Sequence, residues 1–185
     1  TKVFWGLDAK LAYKRHFPAI NWLSSYSLYT DNVADFWKKE VSEEFGELRI
    51  EAMNLLQQES SLEEIVRLVG TDALSPKERL VLETAKSLRE DFLFQNAFDP
   101  EDAYTPLKKQ YGILKAIMTM YHATMPFVDK EGFSFDDFLA LPILQEVVKA
   151  KDIKKDELEK YDDLHKEIVK AIQAYGSKFQ AEVEA

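Results

Sequence analysis

The chain has 185 residues, 46% hydrophobic and 31% charged, the composition of a soluble globular protein with one sizeable core rather than of a disordered chain. Asp and Glu number 33 against 24 Lys and Arg, and the net charge of -9 repels phosphate backbones and anionic lipid, so neither nucleic acid nor a membrane surface is expected as a primary partner. Cysteine is absent, which excludes disulfides and thiolate chemistry and fits a reducing cytosolic setting, and no apolar run approaches the roughly 18 residues of a membrane span, so work at a membrane would go through partners.

Val3-Phe4-Trp5-Gly6-Leu7 is a short apolar run with no strand or cap before it. It reads either as the last strand of a preceding domain, with its pairing partners outside the chain, or as an arm buried against its own domain. From Arg15 to Ser27, aromatic rings, a proline and polar residues follow one another without helical periodicity, the pattern of a site-forming loop. Pro18 drives the residue before it toward an extended conformation and so gives Phe17 a definite direction. On the residues alone, Phe17, Trp22 and Tyr26 more often plug the edge of a core than wall a site.

Beyond residue 30 the periodicity is helical. Thr30 or Asp31 is expected to cap a helix running to about Glu40, and Phe45, Leu48, Met53 and Leu56 mark a second one from Phe45 to Gln58. Ser61 and Glu64 have capping-box spacing before Ile65, Leu68 and Val69, with Gly70 as a left-handed closing cap. Ser75-Pro76-Lys77-Glu78 is a stronger start signal, combining an N-cap serine, proline at the first helical position and glutamate three residues on. Val81, Ala85, Leu88 and Phe92 then share a face, so the helices around Gly70 to Leu74 form a hairpin with an exposed polar tip.

That helix is expected to end near Asn96, before Asp99-Pro100, which leaves Phe98 beyond the apolar stripe while Phe92 reads as core. Leu107, Tyr111, Leu114, Met118, Tyr121 and Met125 form one further stripe, ended by Pro126. Residues 132 to 141 are an aromatic and acidic connector, Pro142 to Lys149 a short helix, and Leu158, Tyr161, Leu164, Ile168, Ile172, Tyr175 and Phe179 a last stripe. The fold class is all-α, a multi-helix bundle with a short extended N-terminal arm and a protruding helical hairpin, divided into residues 1–30 and 31–185.

Catalytic chemistry is hard to find. No Gly-rich turn ends in Gly-Lys-Ser or Gly-Lys-Thr, so phosphoryl transfer cannot be completed by these residues alone. His16, His122 and His165 lie far apart, and the lone Asp162 and His165 pair sits in a run of alternating charges, so no metal site is expected.

Several segments in order resemble the C-terminal domain of the catalytic A subunit of A-type and V-type rotary ATPases. They are Val3 to Asp8, the loop around Phe17, Leu62 to Gly70, Asp72-Ala73-Leu74, Arg79-Leu80, Arg89 to Leu93 and Gln95-Asn96-Ala97-Phe98. The resemblance thins after Tyr111, and many relatives carry glutamine where this chain has Phe94. It implies that residues 1–30 link to a nucleotide-binding domain carrying the P-loop, the magnesium ligand and the catalytic glutamate. Phe17 and Phe98 would then flank adenine, with Pro18, Gln95 and Ala97 beside them, and ATP or ADP with Mg would be held in the intact subunit but not tightly by this chain. Leu74, Ser75, Pro76, Lys77, Glu78 and Arg79 would contact the central stalk, as the hairpin of the F-type β subunit does. The implied partners are B subunits and stalk subunits, in an assembly on the cytoplasmic side of a membrane whose rotation is coupled to proton or sodium movement. The alternative is a non-enzymatic helical scaffold or adaptor in which both rings are buried.

Overall fold

The computed structural model describes residues 1–179. Strand β1 (Val3–Leu7) pairs antiparallel with β2 (Ile20–Ser27), and the short helix α1 (Ala9–Tyr13) lies between them in sequence. Strand β1 thus has a partner within the chain, the stretch read as an irregular loop, and Val3, Phe4, Trp5 and Leu7 are exposed, which corrects the reading of an arm buried against its own domain. Alternation is hidden there because Phe4 faces Tyr26 while Gly6 faces Asn21, so four residues of β2 oppose one of β1. The bulge turns Trp22 against the helical core, and a Cβ on Gly6 would stand 2.5 Å from Ser24 Oγ. A larger residue there would force the Ser24 hydroxyl to move.

The bundle consists of α2 (Thr30–Glu40), α3 (Phe45–Val69), α4 (Pro76–Ser87), α5 (Pro100–Ala103), α6 (Leu107–Thr124), α7 (Phe135–Leu139), α8 (Pro142–Val148) and α9 (Lys160–Gly176). Helix α6 is its axis, touching α3, α4, α8 and α9. Consequently Ile113, Leu114, Ala116, Ile117 and Met118 are all buried, and the single stripe expected for this helix is too narrow. Leu107 and Tyr111 stand nearer the surface. In α9 the expected stripe matches burial at Tyr161, Leu164, Ile168, Ile172 and Tyr175, because this helix packs on one side only. Its Tyr161 ring lies on Gly112 of α6, where a Cβ would come within 2.5 Å.

Three helix boundaries differ from the sequence reading. Helix α3 is continuous for 25 residues, so Ser61 caps nothing; Leu62 is buried and carries the packing through the expected break. Thr30 does not cap α2 either: its hydroxyl donates to the Ser27 carbonyl at 2.9 Å. Helix α4 runs on from Leu88 to Leu93 as a wider π turn, which the 3.6-residue pattern does not reveal. Gly70 does end α3 with positive φ, at 86° and ψ 169°, a conformation open to glycine but outside the left-handed helical region.

Candidate functional site

The arm is fixed first by Asp8. Its carboxylate accepts from Lys10 N at 2.8 Å, from Leu11 N at 3.3 Å and from the Asn21 amide at 2.9 Å, tying the start of α1 to β2. Those bonds, the Asn21 amide above all, hold the Asp8 carboxyl below its ordinary value. Past α1 the chain reverses at Arg15, which has φ 58°, and passes through a cis Phe17–Pro18 peptide. His16 then spans two elements: Nδ1 lies 3.2 Å from the Pro18 carbonyl and Nε2 3.0 Å from that of Arg89 in the π turn. Its ring makes a T-shaped contact with Phe94, centroids 5.6 Å apart, and a tilted one with Trp22 at 5.7 Å.

This clasp brings the two aromatic segments together. The Gln95 N–H donates to the Phe17 carbonyl at 2.7 Å, joining the bend at Phe17 to the loop that leaves the π turn. Phe17 is 49% exposed and Phe98 is 98% exposed, so neither ring is core. Of the other residues expected beside adenine, Pro18 is half-buried and Ala97 exposed, whereas the Gln95 side chain turns inward and donates to the Asp102 carbonyl at 3.1 Å. Asn96 closes the loop on itself, its side-chain oxygen accepting from Phe98 N at 3.0 Å. Phe92 is half-buried against the core, in line with its reading as a packing residue.

Behind His16 a cleft of about 520 Å³ opens between arm and hairpin, lined among others by Asp8, Lys14, Trp22, Glu59 and Arg89; neither Phe17 nor Phe98 lines it. On its floor the Arg89 guanidinium grips Glu59 with Nε at 3.0 and 3.1 Å from the two carboxylate oxygens. Burial raises the Glu59 carboxyl above its ordinary value although Arg89 pulls the other way.

The hairpin lies apart from these loops. Ser75 Oγ accepts from Glu78 N at 3.3 Å and Glu78 accepts from Ser75 N at 2.8 Å, the reciprocal cap read from the sequence. Leu74 is buried and anchors the turn, while Ser75, Pro76 and Lys77 are exposed. Lys77 pairs with Asp129 at 2.5 Å, and Arg79 stacks 4.5 Å above the Phe135 ring, 3.9 Å from Asp136. The tip is not wholly polar: Leu68 and Val69, expected to continue an apolar stripe, are 80% and 64% exposed.

His165 is buried and its Nε2 lies 3.0 Å from the Gly112 carbonyl, an interhelical role distinct from metal ligation. Among the described residues no three His, Asp or Glu side chains converge as a metal cluster, and no helix is long and apolar enough to cross a membrane.

A bulged strand pair clasped to the π end of a long hairpin, over a core built around one central helix, defines a helical domain with an aromatic-faced arm. The family model described as the C-terminal domain of V and A type ATP synthase matches residues 34–132, and the chain belongs to that family. It is 54% identical over 172 residues to the V-type ATP synthase alpha chain of Thermoanaerobacter pseudethanolicus, covering 93% of this chain and 29% of that protein. Alignment with V-type ATP synthase alpha chain 1 of Clostridium tetani gives 50% identity over 177 residues, 96% of this chain and 30% of the relative. The V-type ATP synthase alpha chain of Acetivibrio thermocellus is 47% identical over 178 residues, again 96% and 30%. The chain thus spans less than a third of the length of these relatives.

Sequence reasoning missed His16, Asp102 and Lys151 as structural determinants of the aromatic loops. Asp102 looks like an ordinary first-turn acid after the Asp99 cap, and its cation Lys151 is 3.2 Å away in space but far along the chain. Only the neighbourhood of His16 to Phe17 and Pro18 was a usable signal.

Proposed function

We propose that this domain forms the adenine side of the nucleotide site in the catalytic subunit of an A/V-type rotary ATPase. In this reading it also presents its hairpin to the central stalk. The observation that carries the reading is the exposure of two aromatic side chains, Phe17 and Phe98, on segments joined by the bond from the Gln95 N–H to the Phe17 carbonyl. Exposed rings on braced backbone present flat apolar faces to a planar ligand without the entropy cost of ordering a free loop. The scaffold alternative needs both rings in the core, and their exposure favours the site.

Phosphates and Mg lie outside the role of these residues. ATP or ADP would be held at its phosphate end by the P-loop of the preceding domain, and the rings here would orient the base. Phosphoryl transfer would occur in the complete catalytic chain, alternating with B subunits in a cytoplasmic assembly attached peripherally to the membrane. Closure and opening of that site would move this domain, and the capped hairpin would carry the displacement to the stalk, coupling ATP synthesis or hydrolysis to proton or sodium transport.

The reading is tested in the assembled enzyme with Phe17→Ala and Phe98→Ala. Loss of about 1.4 kcal/mol of contact to the base raises the nucleotide dissociation constant about tenfold at each position, with Tyr or Trp tolerated better than Ala. Unchanged nucleotide affinity in both Ala variants would contradict it.

A further inference from the structure

Phe98, almost fully exposed, has no packing of its own to aim it, so its direction is set by the backbone of the loop that carries it. That backbone is governed by one buried ion pair. Asp102 is 8% exposed; its carboxylate accepts from Asn96 N at 2.6 Å and meets Lys151 Nζ at 3.2 Å. The same ammonium donates to the Phe94 carbonyl at 3.1 Å and stands 5.3 Å over the Phe94 ring. Thr105 Oγ1 completes the cluster by donating to the Asp102 carbonyl at 2.6 Å. One cation therefore holds the loop where it begins, at Phe94, and through Asp102 where it turns, at Asn96.

We propose that Lys151 and Asp102 are positioning residues for the nucleotide site: the pair sets the course of residues 94–98 and thereby the direction of Phe98. The inference rests on the reading of Phe17 and Phe98 as the wall that meets adenine. Lys151 lies in a turn of 3-10 helix, Lys149–Asp152, after α8 and outside the residues matched by the family model. This gives the C-terminal part of the chain a role at the site. The physical basis is that the two side chains are only 19% and 11% exposed, so their charge-assisted bonds are weakly screened and hold geometry better than a surface pair. Removing one partner leaves the other charged and uncompensated, and the loop is released rather than merely weakened. Arginine keeps both the charge and the stacking on Phe94.

The test uses the full-length catalytic chain in its assembled enzyme, with Lys151→Met, Lys151→Arg, Asp102→Asn, Phe98→Ala and the double variant Phe98→Ala/Lys151→Met. Lys151→Met is expected to raise KM for ATP about three- to tenfold while kcat at saturation stays within about twofold, and Lys151→Arg to restore the parent value. The double variant should show the KM of Phe98→Ala alone, because Lys151 acts through Phe98. Additive effects, or an unchanged KM in Lys151→Met when Phe98→Ala raises it, would overturn the positioning role and leave the adenine reading standing. An unchanged KM in Phe98→Ala would remove Phe98 from the adenine wall, and would overturn the nucleotide role of the pair with it. Amide exchange separates the loop from the core: faster exchange at Gln95 and Asn96 with α3 unaltered supports the proposal, whereas global unfolding of both Lys151→Met and Asp102→Asn makes the pair a general fold determinant and overturns it.

Discussion

His165 shows how one buried side chain links the packing of the bundle to solution conditions. It sits between α9 and α6, and burial is the largest influence on its ring, pushing its affinity for protons below the ordinary 6.5. The Gly112 carbonyl fits a neutral imidazole that donates from Nε2. In the unfolded chain the same ring takes up a proton near 6.5, so below that value the unfolded state binds more protons. Stability from neutral His165 is thus full above that pH and declines as pH falls from it toward the lowered folded value. Glu59 and Asp91 act in the opposite sense in the carboxylate range, since burial raises both. Their contribution cancels in a comparison with His165→Gln, which still has a donor for Gly112 and does not titrate. Urea midpoints at pH 7.5 and pH 5.5 should fall further in the parent chain than in His165→Gln, and equal falls would contradict the assignment.

Helices show which parts of the fold were legible and why. Where an element packs on one side, as α9 does, its apolar period and its buried face coincide. Where it is surrounded, as α6 is, burial spreads to residues that no stripe selects. The cap at Ser75 was readable because all of its partners lie within four residues, whereas the Ser61 pattern failed because one face of α3, at Glu59 and Leu62, stays buried across it. The strand pair, the π turn and the clasp on His16 depend on contacts between distant segments, so local sequence carries little trace of them. For the hairpin two opposite responses are expected. Ser75→Ala should cost about 1 kcal/mol of stability by leaving a helix N–H without its acceptor. Lys77→Met, Glu78→Gln and Arg79→Met together should change the melting temperature little, because exposed ion pairs such as Lys77 with Asp129 are worth roughly 0–1 kcal/mol and glutamine can still cap. In the assembled complex the triple variant should alter stalk affinity or rotation-coupled turnover; parent-like behaviour there would remove the hairpin's lever role.

At the scale of the whole molecule, the arm and the bundle meet where the aromatic loops stand, so the surface that bears Phe17 and Phe98 is made by neither alone. Base stacking on aromatic rings is worth roughly 1–3 kcal/mol per base, well short of the about 8 kcal/mol that micromolar affinity requires, so in the proposed function the domain would assist a site whose phosphate grip lies elsewhere. The most direct measurement of that division is inhibition of the assembled enzyme by ATP analogues and by inorganic tripolyphosphate, comparing parent and Phe98→Ala. A ring that meets only adenine predicts about tenfold weaker binding of the nucleotide with tripolyphosphate unaffected. Equal weakening of both ligands, or of neither, would contradict the assignment of this domain to the adenine side of the site.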